Sequence, residues 1–266
     1  MATKTGSVIY RPSADKSLAH NVSSGSKGYS MLSEASQDGD STYVYQSLTS
    51  TSNATKKSTF TMSPESAIPE GATVTSVKLH VTARDSDDNV TATFTSAVVI
   101  GGSEKSVIGS TTLTTSYKEY TGSLTVSGDA ENVAVAISTS GKKGSSKDDS
   151  GYIRVTQVYL EVNYSYETTP VITVDAPSKT AISDESGHDE CICTFSASLS
   201  LTQWEARATK KGNTPARGVG LLVESGGALA RGAKGTVSVV DEELTDGDGE
   251  YQITVYGKAT TGEWSS

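Results

Sequence analysis

Several things are scarce in this chain of 266 residues, and each scarcity removes a class of function. There are only 2 cysteines, 3 histidines, 2 tryptophans and 6 prolines. Cys191 and Cys193 stand at i and i+2 of an alternating run, on one face of a strand, where mutual disulfide closure is geometrically poor. They are expected as small reduced thiols in a core, which fits a reducing cytoplasm. No second Cys pair follows, and His20, His80 and His188 show no H-x-x-x-H spacing, so zinc is not expected. No apolar run approaches ~18 residues, so no membrane span is expected. No apolar stretch follows Met1–Gly6, so neither a secretory leader nor a lipid anchor is expected. Basic side chains are outnumbered, 22 against 31, for a net charge of −9, which disfavours nucleic acid and anionic lipid as partners. No G-x-S-x-G elbow, Walker loop or dinucleotide fingerprint is present. Asp85, Asp87 and Asp88 crowd one turn, too close in sequence to bracket a glycosidic bond. No catalytic residue is assigned, and no stretch carries a capped i, i+3, i+4, i+7 apolar stripe.

What is abundant is Ser and Thr, about 28% of the chain, against a hydrophobic share of 35%. The apolar residues alternate with them. Val77, Leu79 and Val81 share one face, as do Val90, Ala92, Phe94 and Ser96, then Val133, Val135 and Ile137, then Val158, Leu160 and Val162. Strands are predicted at 7–10, 28–33, 42–48, 58–62, 73–83, 90–99, 105–113, 117–126, 132–138 and 152–164. A second set is predicted at 171–175, 189–199, 202–209, 218–224, 235–242 and 250–259. Turn residues separate them: Asp38-Gly39-Asp40, Pro69-Glu70-Gly71, Asp87-Asp88-Asn89 and Gly101-Gly102. The pattern predicts an all-β protein of two sandwiches, 1–166 and 167–266, joined at Thr168-Thr169-Pro170. Charge divides there too: 14 basic and 16 acidic side chains precede the joint, 8 and 15 follow it.

In the second domain, Leu244-Thr245-Asp246-Gly247-Asp248-Gly249-Glu250-Tyr251 leads into an alternating strand, and Gly262-Glu263-Trp264-Ser265 follows. This resembles the E–F corner and F strand of fibronectin type III and immunoglobulin-like domains. The resemblance makes Tyr251 the corner tyrosine, its hydroxyl bonded to upstream backbone. Trp204, in line with Ala206 and Ala208, is expected in the core. The family's last strand, G, has no counterpart before Ser266, so a neighbouring subunit or protein is expected to cover that edge.

In the first domain, Ile68-Pro69-Glu70-Gly71-Ala72-Thr73-Val74-Thr75-Ser76-Val77-Lys78-Leu79 looks like a joint found in jelly-roll modules of bacterial surface and carbohydrate-active proteins. The opening, from Ser7-Val8-Ile9-Tyr10 through Asp38-Gly39-Asp40-Ser41-Thr42-Tyr43-Val44-Tyr45, resembles structural proteins of tailed phages that infect Gram-positive bacteria. That resemblance implies a jelly roll followed by an Ig-like domain in a non-enzymatic virion protein. It would be made and assembled in the bacterial host cytoplasm and attached in many copies to other virion proteins. Capsid decoration, as a head fibre, is the leading expectation. The alternative is a tail or baseplate protein whose jelly roll touches host cell-wall carbohydrate. Two tyrosine pairs, Tyr43 with Tyr45 and Tyr164 with Tyr166, are the candidate glycan or interface aromatics. No cofactor is expected. Asp38-Gly39-Asp40 and Asp246–Glu250 offer oxygens that calcium could use, but the plain turn is the leading reading of both.

Overall fold

The computed structural model describes residues 3–86, 90–129, 132–145, 151–182 and 189–266. The chain divides into two compact units after Tyr166, with Thr3 and Lys4 grouping with the second. Among the described residues the elements are β-strands and short 3-10 turns, and antiparallel ladders join the strands.

The first unit contains β1 (Thr3–Ser17), β2 (Asn21–Val22), β3 (Val44–Leu48), β4 (Ala54–Pro64), β5 (Thr73–Asp85), β6 (Thr91–Ile100), β7 (Ser103–Thr112), β8 (Lys118–Asp129), β9 (Val133–Lys142) and β10 (Gly151–Glu167). One layer runs β3-β10-β5-β8, and the other runs β4-β9-β6-β7. Long β1 joins them, bordering β10 on one side and β4 on the other. It is paired with β4 from Tyr10 onward, and register shifts at Pro12/Ala14 and Asp15/Ser17 bend that part of the strand. The sandwich is of jelly-roll type.

The core follows from alternation. Val77, Leu79, Val81, Val158, Leu160 and Val162 from one layer meet Phe60, Phe94, Val135 and Ile137 from the other. These β-branched and aromatic side chains fit the pleated surface and leave the intervening residues to the outer face. Burying each large apolar side chain contributes roughly 1.5–3 kcal/mol. The segment 28–33, predicted as a strand, is instead a 3-10 turn at Tyr29–Met31. Asp15 accepts the backbone N–H groups of Gly28 and Tyr29 at 2.9 and 2.7 Å, which ties these amides to a carboxylate in place of a ladder.

The second unit contains β11 (Ile172–Val174), β12 (Glu190–Ala197), β13 (Leu201–Lys210), β14 (Leu221–Gly226), β15 (Gly235–Val240) and β16 (Tyr251–Ala259). Two three-stranded sheets, β11-β12-β15 and β14-β13-β16, enclose Phe195, Leu201, Ala206, Ala208, Val237 and Val255. This is an Ig-like sandwich. Cys193 lies in this core and Cys191 at its edge, both as free thiols. Burial and the neighbouring Cys191 push the Cys193 thiol pKa up.

Tyr251 donates its hydroxyl to the Gly247 carbonyl, the corner bond implied by the resemblance. Gly247 turns there with φ +81°, a backbone shape that costs glycine little. Trp204 is half-buried, edge-on to Phe195 at 5.0 Å. Its indole lies across Gly226, where a Cβ would come within 2.4 Å of the ring. After β16 the chain turns back, and Trp264 bridges Lys258 while Ser265 N–H bonds the Gly257 carbonyl at 2.8 Å. That return meets β16 at its last residues, Gly257–Ala259.

Candidate functional site

The outer face of the β3-β10-β5-β8 layer carries the most concentrated chemistry of the first unit. Register explains why. Tyr45 stands opposite Arg154, and Ser47 opposite Tyr152, on the β3–β10 ladder. Arg84 stands opposite Arg154 on the β10–β5 ladder. Paired residues in antiparallel strands project from the same face, so one strand's aromatics meet the next strand's guanidiniums. Tyr43, just before β3, and Tyr117, just before β8, complete the group.

Asp40, from the turn between β2 and β3, is its hub. It accepts Arg154 Nη1 at 2.7 Å, Arg84 Nη2 at 2.8 Å and the Tyr117 hydroxyl at 2.7 Å. Partial burial opposes ionisation of Asp40, but the bonds from Tyr117, Arg154 and Arg84 outweigh it and hold its pKa below the usual carboxylate range. Burial and the same carboxylate push the Tyr117 pKa up to about 12. The Arg154 guanidinium lies 4.6 Å from the centroid of Tyr43 and 5.3 Å from that of Tyr152. Arg84 lies 5.0 Å from that of Tyr117. Tyr43 meets Tyr45 edge-on at 5.8 Å, and Tyr45 meets Tyr152 at 5.9 Å. Tyr152 is 40% exposed, while Tyr43 and Tyr45 are half-buried. Rings set edge-on to one another, at 66° and 76°, and cations pinned by a carboxylate form a pre-organised platform.

A second cluster follows along β10. Tyr159 stacks on His80 at 4.2 Å with the rings 11° apart. His80 Nδ1 is 3.0 Å from Glu119, and Nε2 is 3.2 Å from Glu161. Burial opposes ionisation of Glu119, but bonds from His80 and Tyr159 hold its pKa low. Burial and Glu119 push the Tyr159 pKa up to about 12. His80 does face away from the core, as its place between Leu79 and Val81 requires. It is nevertheless only 4% exposed, because Tyr159 lies flat across it. Alternation gives the direction of a side chain and says nothing of what a neighbouring strand lays over it.

The two tyrosine pairs expected from the sequence therefore separate. Tyr43 and Tyr45 belong to the platform. Tyr164 and Tyr166 are 6.1 Å apart but pack against the core, with the Tyr164 ring lying over Gly6, where a Cβ would meet it at 2.6 Å. Tyr251 and Trp204 lie in the Ig-like unit, the first bonded to Gly247 and the second packed edge-on to Phe195. Tyr152, Arg154, Asp40, Arg84 and Tyr117 form a group that the sequence alone does not single out. Aromatic–cation alternation at 152–154 is the signal available there, and pairing across strands supplies the rest.

At Asp38-Gly39-Asp40 the two carboxylates diverge. Asp40 is taken up by the arginines, while Asp38 Oδ1 is within 3.3 Å of both Thr42 N and Thr156 Oγ1. Glu34 also accepts the Thr42 hydroxyl, and burial together with nearby Asp38 raises its pKa. In the other acidic loop Gly247 serves the tyrosine corner. Among the described residues no group of three His, Cys, Asp or Glu side chains is placed to hold a metal ion. Asp87, Asp88 and His188 lie outside the described residues.

No family model matches the sequence, and no curated protein matches it. Solved structures similar to it include a CBM4 module, 18% identical, covering 59% of this chain and 94% of that one, TM-score 0.29. The N-terminal cellulose-binding domain of Cellulomonas fimi β-1,4-glucanase C is 19% identical over 47% of this chain and 86% of that one, TM-score 0.26. The adhesin domain of Epf from Streptococcus pyogenes is 10% identical over 98% and 89%, TM-score 0.28.

Proposed function

We propose that this chain is a non-catalytic attachment protein whose first sandwich binds carbohydrate on the outer face of the β3-β10-β5-β8 layer. The carrying observation is the platform of Tyr43, Tyr45 and Tyr152 around Arg154, tied to Arg84 and Tyr117 through Asp40. Ring faces pack on the apolar faces of sugars, and a guanidinium held by a carboxylate presents fixed donors to hydroxyls. The carboxylate in the platform is a poor proton donor at neutral pH, since three donors stabilise its ionised form. That favours binding over acid–base catalysis.

On the virion reading, the platform favours the tail or baseplate position, where a jelly roll would meet host-wall carbohydrate, over capsid decoration. Many copies would then sum weak single contacts. The test is affinity electrophoresis of the full chain through gels containing purified Gram-positive wall polysaccharide. Retardation that disappears in Tyr45→Ala/Tyr152→Ala, with the circular dichroism spectrum unchanged, supports the proposal. Equal migration with and without polysaccharide contradicts it.

A further inference from the structure

The outer face does not end at the platform. β10 carries Tyr152, Arg154, Tyr159, Glu161 and Asn163 along it, and the β5 ladder sets His80 beside Tyr159, Lys78 beside Glu161 and Ser76 beside Asn163. The β8 ladder adds Ser123 beside Lys78 and Thr125 beside Ser76. At this far end Ser76, Lys78, Ser123, Thr125, Glu161 and Asn163 line a shallow groove of about 290 Å³, with Val77 and Leu124 contributing to its walls. Hydroxyl, amide and charged groups share its lining with the apolar surface of Val77 and Leu124. Asn163 Nδ2 donates to Ser76 Oγ at 3.0 Å, and Lys78 faces Glu161 at 4.0 Å.

Platform and groove are two ends of one stripe. At about 3.3 Å per residue, Tyr152 and Asn163 lie on the order of 30 Å apart along β10. No mono- or disaccharide reaches both. The charges balance over the stripe as a whole: Arg154, Arg84 and Lys78 against Asp40, Glu119 and Glu161. Such a surface offers many hydrogen-bonding groups and little net field to draw a polyanion.

Building on the carbohydrate reading above, we infer that the groove is a second subsite and that the ligand is an extended, uncharged polysaccharide laid along β10. The platform grips one stretch of the chain through ring faces. The groove takes hydroxyls of another stretch several sugars away. Tyr159, flat on His80, forms the floor between them. Affinity then grows with chain length, because contacts at the second subsite follow the first at high effective concentration.

The experiment is calorimetric titration of the full chain with size-fractionated oligosaccharides released from purified Gram-positive wall polysaccharide, at low and high salt. The expected result is affinity at least about tenfold higher for nonasaccharides than for trisaccharides, the gain expected from a linked second subsite, with little dependence on salt. Lys78→Ala/Asn163→Ala is expected to bring the nonasaccharide down to trisaccharide affinity while leaving the trisaccharide unaffected. Trisaccharides that bind as tightly as nonasaccharides overturn the second subsite but leave the platform standing. A double variant with undiminished affinity for the nonasaccharide overturns it too. Affinity that collapses with salt overturns the uncharged ligand. No binding at any length overturns both this inference and the carbohydrate reading beneath it.

Discussion

His20 shows how a single polar side chain can be committed to a core. Its ring lies 4% exposed between the two layers of the first unit. Ser58 Oγ accepts the backbone N–H groups of Ala19 and His20 at 3.0 and 3.1 Å, so its own hydrogen goes to His20 Nδ1 at 2.7 Å. Nε2 is then the protonated nitrogen and donates to Thr139 Oγ1 at 2.8 Å. Thr139 donates to the Gln46 carbonyl oxygen, and Gln46 Nε2 donates to the Ala54 carbonyl at 2.8 Å. Every member is satisfied only while the imidazole is neutral. Burial, reinforced by Lys56, lowers the His20 pKa to about 4. The unfolded chain therefore takes up this proton first as pH falls. Stability from His20 is complete above pH ~6.5 and is lost as pH falls toward ~4, by roughly 3 kcal/mol. Urea unfolding at pH 7 and pH 4 should show this loss in the native chain. In His20→Gln that part of the pH dependence should disappear. An identical pH dependence in both would show that the imidazole is not buried neutral.

At the scale of elements, β10 decides what faces the solvent. Its inward residues change parity from Ile153 and Val155 to Val158 and Leu160, and the ladder to β5 shifts register between Val155 and Gln157. The extra residue lets Thr156 point its hydroxyl at the Thr42 carbonyl, 2.8 Å away, which docks the loop that carries Asp40. Asp40 in turn sets the arginines. Replacing it, Asp40→Asn, should leave the fold intact, because the side chain is half in water. It should release both guanidiniums from their shared anchor and weaken the proposed polysaccharide binding about tenfold, roughly 1.4 kcal/mol. Gel retardation equal to that of the native chain would show that the arginines need no anchor.

Most strands are legible in sequence, because β-branched residues recur at every second position and Gly, Asp and Pro mark the turns. Residues 28–33 mislead because Tyr29, Met31 and Leu32 supply apolar character without a ladder partner, and Asp15, distant in sequence, captures the amides of Gly28 and Tyr29. The platform is only half legible. Tyr43 and Tyr45 are neighbours in sequence, whereas Arg84, Tyr117 and Arg154 reach Asp40 through register, which no local pattern encodes.

At the scale of the whole chain, the low apolar content has a structural meaning. Two thin sandwiches bury mainly one side of most strands, although β9 is buried on both from Val133 to Ile137, and Ser and Thr occupy much of the other side and the turns. The acidity is uneven, with 8 basic and 15 acidic side chains in residues 167–266. The sequence expectation is that both acidic loops are plain turns, and on that expectation a chelator leaves the melting temperature unchanged. A fall of several degrees on chelation would assign a bound cation to Asp38 or to Asp246–Glu250.

Tyrosine footprinting reads directly whether carbohydrate lies on the tyrosine–arginine face, as proposed. The full chain is nitrated with and without purified Gram-positive wall polysaccharide, and each tyrosine is quantified by peptide mass. Protection is predicted at Tyr152, Tyr45 and Tyr159, with Tyr251 in the Ig-like unit unaffected. Protection confined to Tyr251, or an unchanged pattern at saturating polysaccharide, would contradict the account.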